Sequence, residues 1–175
     1  GILYLDKNNE PCSPLMIWQD ERGNEIFENG ETYAEYLTRV TGIKAASGFG
    51  LTTHFYNIEN NLVPENAVML STIHDYLAGI LTNTTPVTHS SDGASLGLFD
   101  LENLCFDENA LSEVGIDKAF LPEVISTTSV AGKTDCDFLP HGIPVAVAID
   151  DNQASFLGSV AEPEKSVLVN VGTGS

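Results

Sequence analysis

Basic residues are scarce in this chain. Seven Lys and Arg stand against 25 Asp and Glu among 175 residues, a formal net charge of −18. That balance argues against nucleic acid and anionic membrane surfaces as partners, because both recruit basic proteins. Cysteine is scarce too: Cys12, Cys105 and Cys136 are odd in number and far apart. They fit reduced thiols in the cytoplasm better than a disulfide framework or a zinc site. No apolar run approaches the roughly 20 residues of a membrane span. No basic segment followed by an apolar one marks a signal peptide. A Walker loop ending in Gly-Lys-Ser/Thr, a dinucleotide fingerprint and a nucleophile elbow are all missing. Internal repeats and low-complexity tracts are missing as well.

What is present reads as strands alternating with helices, an α/β class. "GILYLDKNNEPCSPLMIW" (1–18) predicts two short strands around a turn built by Asn8, Asn9 and Pro11. Tyr33, Tyr36, Leu37 and Val40 share a helical face that Gly42 ends. A second helix is expected over 51–60, a strand over 67–72, and then a helix whose face is Ile73, Tyr76, Leu77, Ile80 and Leu81. Asp107 is expected to cap another helix, closed by Gly115. "GIPVAVAIDDNQASFLGSV" (142–160) predicts a strand buried on both faces, because Ile143, Val145, Val147 and Ile149 do not alternate with polar residues. A helix capped by Asp150 or Asp151 follows it. "SVLVNV" (166–171) predicts a last strand.

Four stretches can carry chemistry. Ligands of open α/β sheets bind beyond the C-terminal ends of strands, where Asp151 could act as a general base on a hydroxyl. The plainer reading of Asp151 is a helix cap. Asn152 and Gln153 beside it can hydrogen-bond a polyol. "NVGTGS" (170–175) offers backbone N–H groups and a hydroxyl to an anion, or makes an ordinary hairpin. "MIWQDERG" (16–23) joins the flat face of Trp18 to Gln19, Asp20 and Arg22, as carbohydrate recognition requires; a lone Trp is otherwise a core residue. "THSSDGASLGLFD" (88–100) predicts a tight polar loop lining a cleft, or a capped turn. His54 and His74 stand on expected helix starts without partners at metal-ligand spacing. Both are read as structural, and no metal ligand is expected.

In order, "GILYLD", "WQDERG", "ASGFGLTT", "TIHDYLAGIL", "SDGASLGLFDLE", "LPEV", "SVAGKT", "GIPVAVAIDDNQAS" and "NVGTGS" resemble the FGGY family of carbohydrate kinases. Within it the likeness is strongest to kinases of sedoheptulose, then of xylulose. The ordered set covers essentially the whole chain and is far more specific than any member.

The resemblance implies an actin-like (ribonuclease H-like) ATPase fold with two domains around a cleft, and ATP-dependent phosphorylation of a ketose on a primary hydroxyl with Mg²⁺. It implies Asp151 as the catalytic base, and Trp18, Asp20 and Asn152 as substrate-binding residues. Gly172, Thr173 and Gly174 match a phosphate-binding hairpin. Residues 1–160 then belong to the N-terminal sugar-binding domain, and 161–175 to the first strand and hairpin of the C-terminal one. The chain departs from the family pattern, and the absence of the Gln-Met-His stretch expected just before the equivalent of Gly1 is one departure. Asp150 stands where many members have Gly, and the first phosphate loop, an Asp-x-Gly-Thr turn, is absent. With no initiator Met and an end just after a strand, the chain is expected to be an internal piece of a longer enzyme, inactive alone. A small-molecule sugar is the expected partner, and a homodimer is left open. The alternative is a non-catalytic sugar-binding or scaffolding fragment.

Overall fold

The computed structural model describes residues 1–125 and 129–169. The first apolar run forms β1 (Ile2–Asp6). Ile2 and Tyr4 alternate with Leu3 and Leu5, and all four are buried. The run is apolar throughout because both faces of the strand are covered. The second strand expected beside it is reduced to bridges at Pro11 and Met16. Pro11 and Pro14 have no N–H to donate, so no continuous ladder forms. The Tyr4 N–H donates to Ser13 Oγ instead, at 2.9 Å.

α1 (Tyr33–Thr41) opens on a capping box between Thr32 and Glu35 and closes at Gly42, whose φ is 72°. α2 (Gly50–Glu59) follows. β2 (Ala67–Thr72) pairs antiparallel with β1, setting Ile2 opposite Thr72 and Leu5 opposite Met69. These elements match the expectations from periodicity and capping. Ile2, Tyr4, Leu37, Leu51, Phe55 and Leu111 meet in one apolar core. Each such burial stabilises by about 1.5–3 kcal/mol.

α3 (Ile73–Thr82) leaves β2 without a loop, its first turn capped by Thr72. Its expected face is largely reversed: Tyr76 and Leu81 are half-buried, but the fully buried side is the opposite one. Asp75, Ala78, Gly79 and Thr82 are buried, whereas Ile73, Leu77 and Ile80 are exposed. Close packing explains the reversal. A Cβ on Gly79 would stand 3.0 Å from Pro86, and one on Gly132 would stand 2.9 Å from Thr82. Only the small side of the helix fits against its neighbours.

β3 (Val87–His89) leads into α4 (Ser90–Leu96), so the polar stretch expected as a loop is a helix, with His89 as its cap. β4 (Phe99–Asp100) and β5 (Cys105–Phe106) form a small antiparallel pair. α5 (Glu108–Glu113) is capped by Asp107, as expected. β6 (Glu123–Ile125) pairs with β3, the one parallel pair among the described residues.

β7 (Val130–Lys133) and β8 (Pro144–Ala146) pair antiparallel. The strand expected over 143–149 is therefore short, and it is not buried on both faces: Ile143 is 47% exposed and only Val147 is buried. Among the described residues, β8 has a single partner strand, and α3 lies against the pair. Among the described residues, α6 (Asp151–Ser159) ends the regular structure apart from a single 3-10 turn at Pro163–Lys165. Of the strand expected over 166–171, residues 166–169 are irregular, and the rest lies outside the described residues. Among the described residues, no helix is long and apolar enough to cross a membrane.

Candidate functional site

The apolar run of β8 gives way to α6 at two adjacent aspartates, which divide the work. Asp150 is the N-cap: its Oδ1 accepts the Asp151 N–H at 2.8 Å. Its own N–H donates to Asp92 Oδ1 at 3.0 Å. Asp151 is the first helical residue, and its exposed carboxylate has no partner among the described residues. An accessible carboxylate can accept a proton or sit beside a Mg²⁺ ion, which prefers oxygen donors.

Beside α6 opens a cleft of about 780 Å³, walled by β7, β8 and the start of α4. Asn152, Gln153, Phe156 and Leu157 line it, at spacings that put them on one helical face. Apolar walls with a few polar groups, at this size, are what a small-molecule pocket requires. Gln153 Oε1 is buried with no hydrogen-bond partner among the described residues, so the cleft keeps one amide acceptor in reserve. Of the residues expected at the site, Asn152 lines this cleft and Asp151, Trp18 and Asp20 do not. Asp151 lies about 100° round the helix from Asn152.

Trp18 is 72% exposed. An indole so open to water does not serve the core, and its flat face is free for a ligand. Its main chain is held by Gly48, whose φ is 86° and where a Cβ would stand 2.2 Å from the Trp18 carbonyl oxygen. Glycine is required there for both reasons. Asp20 Oδ1 accepts the Arg22 N–H at 3.0 Å and its Nε–H at 2.7 Å. Arg22 also donates to Asn57 Oδ1 and lies 5.4 Å from the Tyr56 ring centroid. This ties the Trp18 loop to α2. Gly172, Thr173 and Gly174 lie outside the described residues.

His54 sits inside α2 rather than at its start. It is buried, with Nδ1 2.9 Å from the Tyr4 hydroxyl and its ring stacked on Phe120. Burial pushes its pKa down to about 4. The same desolvation pushes Tyr4 up to about 12. His74, by contrast, has a partner that its sequence neighbours do not reveal. Asp92, on α4, lies 3.5 Å from its Nε2. Sequence spacing misses this pair because α3 and α4 meet only through the fold. Burial pulls the His74 pKa down, but Asp92, Asp75 and Asp150 outweigh it and leave it raised.

Residues 1–158 match the FGGY family of carbohydrate kinases, N-terminal domain. A glycerol kinase of Alteromonas mediterranea is 26% identical over 182 residues, covering 98% of this chain and 37% of that protein. A xylulose kinase of Streptomyces rubiginosus is 32% identical over 180 residues, covering 96% and 36%. The solved structure of Plasmodium falciparum glycerol kinase with ADP superposes with a TM-score of 0.73 at 23% identity, over 90% of this chain and 33% of that one. Ligand-bound xylulose kinase from Lactobacillus acidophilus gives 0.74 at 19%, over 90% and 34%. The chain thus spans little more than a third of the length of these curated relatives. The shared fold is that of the actin-like sugar kinases. Matched over all but its last residues, the chain belongs to the FGGY family of carbohydrate kinases, as an N-terminal domain.

Proposed function

We propose that this domain serves an ATP-dependent kinase that phosphorylates a primary hydroxyl of a ketose of the sedoheptulose or xylulose type. The observation that supports it most is the division of labour at the start of α6. Because Asp150 caps the helix, Asp151 is left with an accessible carboxylate to take the hydroxyl proton. Asn152 lines the adjoining cleft and is available to a sugar hydroxyl. The exposed Trp18 indole offers a stacking face, and the Asp20 oxygen not used by Arg22 offers an acceptor beside it.

ATP supplies the phosphoryl group, and Mg²⁺ neutralises its charge. On this reading, residues 161–175 open the second domain, and Gly172, Thr173 and Gly174 hold phosphate through backbone N–H groups and one hydroxyl. That choice suits a chain with net charge −18, because phosphate is then held without Lys or Arg. Phosphoryl transfer depends mainly on alignment and charge neutralisation, so one base and several donors suffice. The relatives are named for glycerol and xylulose; the preference for a ketose is our own. We assign the enzyme to the cytoplasm, where the three free cysteines would stay reduced.

The test measures turnover with ATP, and calorimetric binding of sedoheptulose, xylulose and glycerol, in the full-length enzyme containing this domain. Ketoses are expected to be the preferred substrates. Asp151→Asn is expected to lower kcat by about 10²–10⁴-fold with sugar binding unchanged. Undiminished turnover in Asp151→Asn would overturn the assignment of the base. Sugar binding without turnover in the wild type would make the protein a binding module.

A further inference from the structure

Below the α6 junction, three side chains converge that the proposed phosphoryl transfer does not use. His74 and Asp75 belong to the first turn of α3, and Asp92 to the first turn of α4. One ligand atom from each lies within 4.8 Å of the others. Both carboxylates are sealed from water, with Asp75 0% and Asp92 1% exposed. Asp92 commits Oδ1 to the Asp150 N–H. Its Oδ2 faces His74 Nε2 at 3.5 Å, too far for a good hydrogen bond. Neither oxygen of Asp75 has a hydrogen-bond partner among the described residues.

A separate observation points the same way. The Thr88 hydroxyl, on β3, is 0% exposed and also makes no hydrogen bond among the described residues. The hydroxyls of Thr72 and Thr88 both bear on the Asp75 carboxyl. The Thr88 hydroxyl thus meets the Asp75 carboxyl from a third element, β3. Among the described residues, His74 is the one basic group bearing on Asp75. Two buried carboxylates and an idle hydroxyl around one imidazole are a costly arrangement unless something binds them.

We propose that His74, Asp75 and Asp92 bind a divalent transition-metal cation, with Zn²⁺ the best fit. The donor set selects the metal: one imidazole and two carboxylates suit Zn²⁺, whereas Mg²⁺ and Ca²⁺ prefer oxygen alone. The ion gives each carboxylate one partner, and Thr88 can donate to the Asp75 oxygen that remains. Zn²⁺ bonds of about 2.0–2.2 Å draw the three atoms together. His74 can make that movement, because its side chain is 27% exposed, and the same opening admits the ion. Through Asp92 the metal also secures the Asp150 N–H, and hence the end of α6 that carries Asp151.

The test is the metal content of the full chain after EDTA treatment and dialysis against zinc sulfate in magnesium-containing buffer. One zinc per chain is expected after gel filtration, together with a higher thermal midpoint and slower amide exchange at Asp150. Asp92→Asn and His74→Gln are each expected to weaken zinc binding by more than about tenfold. Asp92→Asn can fail to fold, so His74→Gln, at the partly exposed edge, decides, with circular dichroism as its folding control. A wild-type chain that retains no zinc would overturn the proposal, as would a folded His74→Gln that binds it undiminished. The cluster would then be held by protons alone.

Discussion

The two ends of this molecule are built on different terms. Around β1 and β2, side chains from α1, α2 and α5 close over both the strands and one another, and Leu5, Leu37 and Leu70 are wholly excluded from water. Around β7, β8 and α6 the opposite holds. Among the described residues, α6 has no buried residue, and the two strands bury none of their own: only Val147, just beyond β8, and Thr134, just beyond β7, lie inside. The candidate base sits on the second, thinly buried part. A carboxylate that must meet a sugar has to be accessible, and an accessible segment contributes little to the core. Stability and the proposed chemistry are therefore held by different residues, with Asp92 as one of the few links between them.

Substitutions can break or sharpen that contrast. Leu37→Ala removes a fully buried side chain from the first region and is expected to cost about 2–5 kcal/mol. Phe156→Ala, on the half-buried face of α6, is expected to cost less than about 1 kcal/mol. Urea titrations of both variants measure the difference, and equal losses would erase the distinction between the two regions.

Acid acts on the first region through His54. In the folded chain its pKa is lowered to about 4, whereas in the unfolded chain it takes a proton near 6.5. Between those values the unfolded state holds more protons, so stability is present above about pH 6.5 and is lost as the pH falls towards 4. The loss from this residue is at most about 3 kcal/mol. Urea titrations at several pH values, wild type against His54→Gln, isolate it. The variant should lose less stability over that interval, and parallel curves would remove His54 from the account. A smaller effect is expected at the capping box. Thr32→Ala frees the Glu35 N–H and is expected to cost about 1 kcal/mol.

The first region was also the legible one, for a physical reason. Helix α1 is announced by Thr32, Glu35 and Gly42, and its packing by Tyr33 and Leu37, all within one short window. Capping and periodicity are local properties, and local sequence carries them. The faces of α3 and β8 are not local. Ile73, Leu77 and Ile80 look like a buried stripe until Gly79 and Gly132 are found in close contact with Pro86 and Thr82. "IPVAVAI" looks like a central strand until it proves, among the described residues, to have one partner strand. At the site, the sequence narrowed the base to two neighbouring aspartates, but only the bond from the Asp151 N–H to Asp150 Oδ1 separates cap from candidate base. Asp92 escaped notice because its partners, His74 and the Asp150 N–H, come from other elements. Thr88 sits beside Asp75 for the same reason.

The most direct test sets the two aspartates side by side in the full-length enzyme, with kcat and helix stability measured for Asp150→Asn and Asp151→Asn. Removing the Asp151 carboxylate is expected to abolish nearly all turnover and leave the thermal midpoint in place, while Asp150→Asn keeps most of its turnover because Asn still caps a helix. Turnover lost at Asp150 and kept at Asp151 would contradict the account at its centre.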